Sequence, residues 1–245
     1  MPIAATDLKL YGAANHAEDD VSTQGGAIAT AKKLEFTQFS ANATPHVKSD
    51  GADTRTGTVH YRTAAGARAS QPFTLDGTNE VSLGVTAERI IKVVLDSSSG
   101  SRTVSLLQGS GGTVRATLGP NITECRLLFA DAASESGSTT RYEKGFFKNE
   151  HGSLTLSSAA VTLTADPSAV IRVGCAPSKG DTATATNRKT APASVTFVDD
   201  SVAQSVPTGA LAAGETIGVW WELALGADAP AAKSTLTTQL AGTTI

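Results

Sequence analysis

The chain has 245 residues and a mass of 24.9 kDa, enough to bury roughly 70–75% of its unfolded surface in one large domain or two of about 100 residues. Its net charge of -3, its pI near 5.8 and its scattered basic residues leave no electrostatic case for nucleic acid or an anionic membrane. Charged residues make up 18%, below the usual level of about 25%, and Glu/Lys/Leu blocks of helical period are missing, so an all-β chain of short strands and many turns is expected.

Residues 1–49 read as an extended N-terminal arm with one strand. Asn15, Gly25-Gly26, Asn42 and Pro45 punctuate it, and only "LEFTQF" (Leu34 to Phe39) alternates like a half-buried strand. The opening shows no basic run followed by an apolar one, so no secretory signal is expected. The longest apolar runs, such as "GVWWELALGA", fall short of the ~20 residues that span a bilayer. A soluble protein made in a cytoplasm is the expectation.

Strand signals become regular from about residue 55. "GTVHYR" alternates Val59 and Tyr61 against His60 and Arg62. Asp76-Gly77 marks a tight turn after Phe73 and Leu75. "AERIIKVVL" is too rich in β-branched residues for a helix, and the run from Arg89 to Phe129 holds four strands at sandwich spacing. A first β-sandwich domain is therefore placed at 50–135, with a junction in "ADAASESGST". A second, at 140–245, begins with "RYEKGFFKNEHG" and continues through "GSLTLSSAAVTLT", "AVIRVGC", "ASVTFVDD", "ETIGVWWELAL" and "STLTTQLAG". Leu154 and Leu156 share one parity and Val161 and Leu163 the other, so Ser157-Ser158 must hold a bulge or bend.

Candidate chemistry is sparse. His16, His46, His60 and His151 lack the short spacing of a metal site. Asp19-Asp20 and Asp199-Asp200 offer too few oxygens for calcium, and "DDSVAQS" reads as a turn. "GSGGT" (109–113) has amides suited to an anion but opens no helix, so it reads as a hairpin loop. Cys125 and Cys175 sit in apolar runs and read as buried free thiols. The run Arg141 to His151 carries charges of both signs among aromatics and reads as an edge strand, its aromatics inward and its charges in water. No catalytic, cofactor-binding or metal residue is assigned. On "ETIGVWWELAL", Ile217, Val219, Trp221, Leu223 and Leu225 form an apolar face, which leaves Trp220 on the other side with Glu222. Trp220 is then either an interface anchor or covered by its own domain's loop or arm.

The opening "MPIAATDLKLYGAANHAEDDVSTQGGAI", the central "RYEKGFFKNEHGSLTLSSAAVTL" and the closing "LAAGETIGVWWELALGADAPAA" resemble a family of tailed-bacteriophage virion structural proteins. The resemblance rests on a Tyr-Glu-Lys…Lys-Asn strand (Tyr142, Glu143, Lys144, Lys148, Asn149) and an Asn-Arg turn (Asn187, Arg188). A Gly-x-x-x-Gly-Val-Trp strand and its small loop complete it (Gly214, Gly218, Val219, Trp220, Gly226, Ala227). The chain departs from the pattern at Trp221-Glu222, where a smaller apolar residue and a basic one are expected. The resemblance implies two Ig-like β-sandwich domains behind the arm and a non-enzymatic place in a virion: neck or collar, tail or baseplate, or capsid exterior. Its expected partners are copies of itself and other phage structural proteins, with no cofactor. Leu8, Leu10 and Tyr11 are the expected anchors by which the arm adds a strand to a neighbour's sheet, and Trp220 is the fourth interface candidate. The alternative is a carbohydrate- or receptor-binding module on the virion surface. A sugar hydrolase would require two carboxylates across a cleft.

Overall fold

The computed structural model describes residues 2–98, 100–132, 135–165, 170–229 and 235–244. Parts of the expected junction (133–134), of two expected strands (169 and 234) and of the closing stretch (230–232) lie outside them. The chain forms two compact units. A host unit joins Met1–Ala29 to Ser134–Ile245, and an inserted unit takes Thr30–Ala133.

After a 3-10 turn at Ala5–Asp7, the chain opens with β1 (Leu8–Asn15) and β2 (Gln24–Lys33). The inserted unit continues with β3 (Pro45–Ser49), β4 (Thr56–Arg62), β5 (Arg68–Thr74), β6 (Val81–Ser82), β7 (Arg89–Leu95), β8 (Val104–Gln108), β9 (Thr113–Leu118) and β10 (Glu124–Arg126). The host unit resumes with β11 (Thr139–Asn149), β12 (Leu156–Ala165), β13 (Ile171–Lys179) and β14 (Thr184–Ala185). It ends with β15 (Gln204–Ser205), β16 (Ala210–Leu211), β17 (Thr216–Leu225) and β18 (Thr237–Thr244). The architecture is all-β, and no helix among the described residues is long and apolar enough to cross a membrane.

In the inserted unit, residues 30–33 of β2 begin a sheet of order β2-β10-β7-β4-β5, and a second sheet runs β6-β3-β8-β9. Both sheets turn alternate side chains into one core: Val59, Tyr61, Phe73, Val93 and Cys125 from the first, Val47, Val104, Leu106 and Leu118 from the second. The alternation read in "GTVHYR" holds, with Val59 and Tyr61 buried and His60 turned outward. Asp76-Gly77 makes its turn, closed by the bond from Asn79 N to Asp76 O, and "AERIIKVVL" supplies β7.

"LEFTQF" forms no ladder strand. Leu34 and Phe39 are buried, but Gln38 stands in for a strand partner. Its amide nitrogen donates to Ile90 O at 2.7 Å, and its amide oxygen accepts from Ile90 N at 2.8 Å. A side-chain amide thus does locally what a peptide group does in a ladder.

In the host unit, one sheet runs β13-β17-β11-β1-β2, with β14 paired to β2. The other has β12 at its centre, with β18 on one edge and β15 and β16 on the opposite one. Ile217, Val219, Trp221 and Leu223 of β17 are buried, as are Leu156, Val161 and Leu163 of β12. Trp221 Nε1 donates to Thr238 Oγ1 of β18 at 2.8 Å, which ties the two sheets through a buried indole. The parity conflict in β12 resolves as a bulge: the ladder with β18 shifts between Ser157 and Ala160, and Ser158 takes φ 50. "ASVTFVDD" contributes only a single bridge, Val173 with Val198, followed by the expected turn.

These units replace the expected domains 1–49, 50–135 and 140–245. Residues 1–29 are no arm, because β1 lies against β11 from Leu8–Asn149 to Gly12–Gly145. Residues 30–49 belong to the inserted unit, with β3 paired to β8. The glycines read as loop punctuation sit inside β2. Gly25 has φ +88, and a Cβ there would come within 2.7 Å of the Trp220 ring, so a bare backbone is what lets the strand close over that tryptophan.

Candidate functional site

The run Arg141 to Asn149 was the richest in reactive side chains, and the structure places it on β11, between β17 and β1. It is not an edge, and of its charges only Lys148 keeps part of its side chain exposed. Arg141, Glu143, Lys144 and Asn149 are all buried. Isolated charges in such a place would cost several kcal/mol each, so each must be matched, and the matching partners come from distant sequence. Glu143 pairs with Arg188 Nη2, both side chains fully enclosed, and Arg188 Nη1 donates to Glu18 O at 3.0 Å.

Lys144 Nζ donates to Asp181 Oδ2 at 2.6 Å and reaches the carbonyls of Gly26, Asp181 and Ala183 at 3.0–3.2 Å. It also lies 4.9 Å from the Phe146 ring centroid and 5.5 Å from that of Trp220. Burial lowers the Lys144 pKa, and Asp181 opposes that shift. Four oxygens and two ring faces leave this ammonium no approach for a substrate; it is a tie between β11, β2 and the segment 181–183.

Arg141 binds Asp20 through Nε and Nη2 at 2.9 and 3.0 Å and also pairs with Glu135, and Lys189 reaches Asp20 at 3.0 Å. Burial alone would raise the Asp20 pKa, but the bonds from Arg141 and Lys189 outweigh it and hold the carboxyl below its usual range. Asp19 turns away to accept from Val21 N, Ser22 N and Ser22 Oγ, so Asp19-Asp20 is a turn and an ion pair. Among the described residues no group of three or more His, Cys, Asp or Glu is placed to hold a metal. The "GSGGT" loop is the β8–β9 hairpin, and the anion at its amides is the chain's own Glu80, which accepts from Gly111 N at 2.8 Å. Cys125 and Cys175 are free thiols, Cys125 buried and Cys175 partly so; burial pushes each up to about 12, far from a reactive thiolate.

A cleft of about 390 Å³ lies beside the end of β11, lined by Lys148, Glu150, His151, Gly152, Ala213 and Gly214. Tyr11 donates its hydroxyl to Glu150 Oε1 at 2.7 Å, and Lys148 Nζ approaches the same oxygen at 3.3 Å. Burial tends to raise the Glu150 pKa, but these two bonds prevail and hold it below the usual carboxylate range. His151 Nδ1 accepts from the amides of Ser153 and Leu154 at 3.2 and 3.0 Å, which shapes the turn into β12. The lining brings one carboxylate, already occupied, where glycoside hydrolysis needs two facing each other.

The four interface candidates fall within the host unit. Leu8, Leu10 and Tyr11 are half-buried on β1, opposite Asn149, Phe147 and Phe146, so the strand that carries them is already paired within its own chain. Trp220 is 1% exposed, packed with Tyr142, Ala185, Val195 and Phe197. Its free face was filled by a glycine pair and a two-residue strand, signals too short to register as a lid. The large apolar side chains exposed among the described residues are Val21, Val114 and Val202, none of them the aromatic platform a glycan-binding module uses. Sequence reasoning missed Asp181, and it named Asp20 only within a carboxylate pair and Arg188 only within an Asn-Arg turn, without the partners that each meets. No protein-family model matches the chain, and no curated protein sequence matches it.

Proposed function

We infer that the chain is a non-enzymatic structural component of a tailed-phage virion, built from Ig-like sandwich units and acting through interfaces with copies of itself and neighbouring particle proteins. The observation that carries this reading is the convergence of the residues on which the virion-protein resemblance rests. Glu143 meets Arg188, and Lys144 stacks on Trp220. Gly218 lies where a Cβ would come within 3.0 Å of Lys144 Cε. Asn149 receives Gly214 N at 2.7 Å, and its amide donates to the carbonyls of Leu154 and Leu211 at 2.9 and 3.0 Å. Residues scattered from 142 to 220 thus make one interlocked set whose product is a rigid sandwich. A tryptophan buried between antiparallel sheets, as Trp221 is, supports the Ig-like reading. The mechanism is burial of surface between subunits, on the order of 1,000 Å² or more per contact, with no arm clasp.

The test is mass spectrometry of density-banded particles from a bacterium producing the phage. The reading expects peptides of this chain in many copies per particle. Its retention in the lysate supernatant, away from the particles, overturns the reading, as does turnover of wall or capsule polysaccharide by the purified protein.

A further inference from the structure

Sheet edges are where such a protein is most open to a partner, because an edge strand presents unpaired backbone donors and acceptors. Most edges here are guarded. β5 carries Arg68 and Pro72, and β13 carries Arg172, Pro177 and Lys179. β9 carries Arg115, whose carbonyl already accepts from Thr37 N at 2.8 Å. β6, β14, β15 and β16 are two residues long. β18 differs: it runs eight residues, Thr-Thr-Gln-Leu-Ala-Gly-Thr-Thr, with neither charge nor proline. Among the described residues it is paired to β12 alone, and apart from Leu240 its residues are exposed or half-exposed.

We propose that β18 is the site at which a second copy of this chain docks, edge to edge and antiparallel, to extend the β12 sheet across a two-fold axis. Antiparallel pairing of a strand with itself is isologous and closes at two. An axis normal to the sheet keeps each side chain on its own face, so it must lie midway between the two copies of one residue. Centred on Ala241, it sets Ala241 against Ala241, Leu240 against Gly242, Gln239 against Thr243 and Thr238 against Thr244. Each opposed pair includes a small or β-branched residue and none is charged, so nothing repels the copy, and the pairing of Thr238 with Thr244 favours the ladder. A partner of another kind would find no charge on this strand to recognise. The proposal rests on the reading of the chain as a self-assembling structural protein, and it names the contact.

Sedimentation equilibrium of the full chain, up to a few hundred micromolar, tests it. The expected result is a particle of twice the 24.9 kDa protomer mass, or an even multiple of it. Ala241→Lys, at an exposed position, sets two ammonium groups opposite each other and raises the dissociation constant by up to about fivefold. Ala241→Cys in a Cys175→Ser background, treated with a short bis-maleimide, gives a dimer cross-linked at 241. A monomeric parent, an unchanged dissociation constant for Ala241→Lys, or cross-linking only through other positions overturns the proposal. The particle measurement is independent, so a chain found in particles but monomeric in solution sinks the β18 contact and leaves the structural role standing.

Discussion

Glu143 and Arg188 show how a residue rich in chemical possibility becomes architecture. Each is enclosed, and each is neutralised by a partner 45 residues away. Removing one member of such a pair leaves a buried charge without its counterpart, which costs about 3–5 kcal/mol. Glu143→Gln is expected to lower the melting temperature by roughly 6–20 °C for a chain of this size, with Glu143→Gln/Arg188→Met falling by much less than the sum of the single variants. Differential scanning calorimetry of the three variants reads both numbers. An additive double variant would mean that the two side chains do not act as a pair. Neither residue could be matched from sequence, since charge alone does not say which distant charge it will meet.

At the scale of elements, the ion network of Asp20, Arg141, Glu135 and Lys189 fastens the β1–β2 connection to β11. The folded Asp20 carboxyl is held below its usual range, so its contribution is complete above about pH 4 and is lost as the pH falls through the depressed value. The network is partly exposed, which limits its worth to about 0.5–1 kcal/mol. Asp20→Asn should therefore melt a few degrees below the parent at neutral pH, and the gap should close as the pH drops below about 4. A gap that is constant with pH would place the effect in packing rather than charge.

Elements themselves were legible where local pattern and tertiary use agreed. The alternation of β4, the Asp76-Gly77 turn, the β8–β9 hairpin and the Ser157-Ser158 bulge all follow from period-2 parity and turn chemistry. The misreadings share one cause. Gly25-Gly26 punctuates a sequence, yet here it lets β2 pass over an indole. "LEFTQF" alternates like a strand, yet it forms no ladder, and its Gln38 side chain bonds the backbone of Ile90 instead. The charges of β11 imitate a solvated edge, yet Arg141, Glu143 and Lys144 meet partners from residues 20–26 and 181–188. In each case a long-range contact reassigned a residue type whose ordinary local meaning is different.

The whole molecule follows from the same reassignment. Once β1 and β2 supply partners to β11 and cover Trp220, the first 29 residues cease to be an appendage, and the second unit becomes an insertion between residues 29 and 134. The side chains that resembled a site are then spent on internal ties, and residues 8–15 are part of the host unit's sheet. Hydrogen–deuterium exchange followed by peptide mass spectrometry tests that claim most directly. The amides of residues 8–15 should exchange as slowly as those of residues 143–149, since they share one ladder and one opening event. Complete exchange of residues 8–15 within seconds, with residues 143–149 still protected, would make the N-terminal segment a free arm and contradict the account.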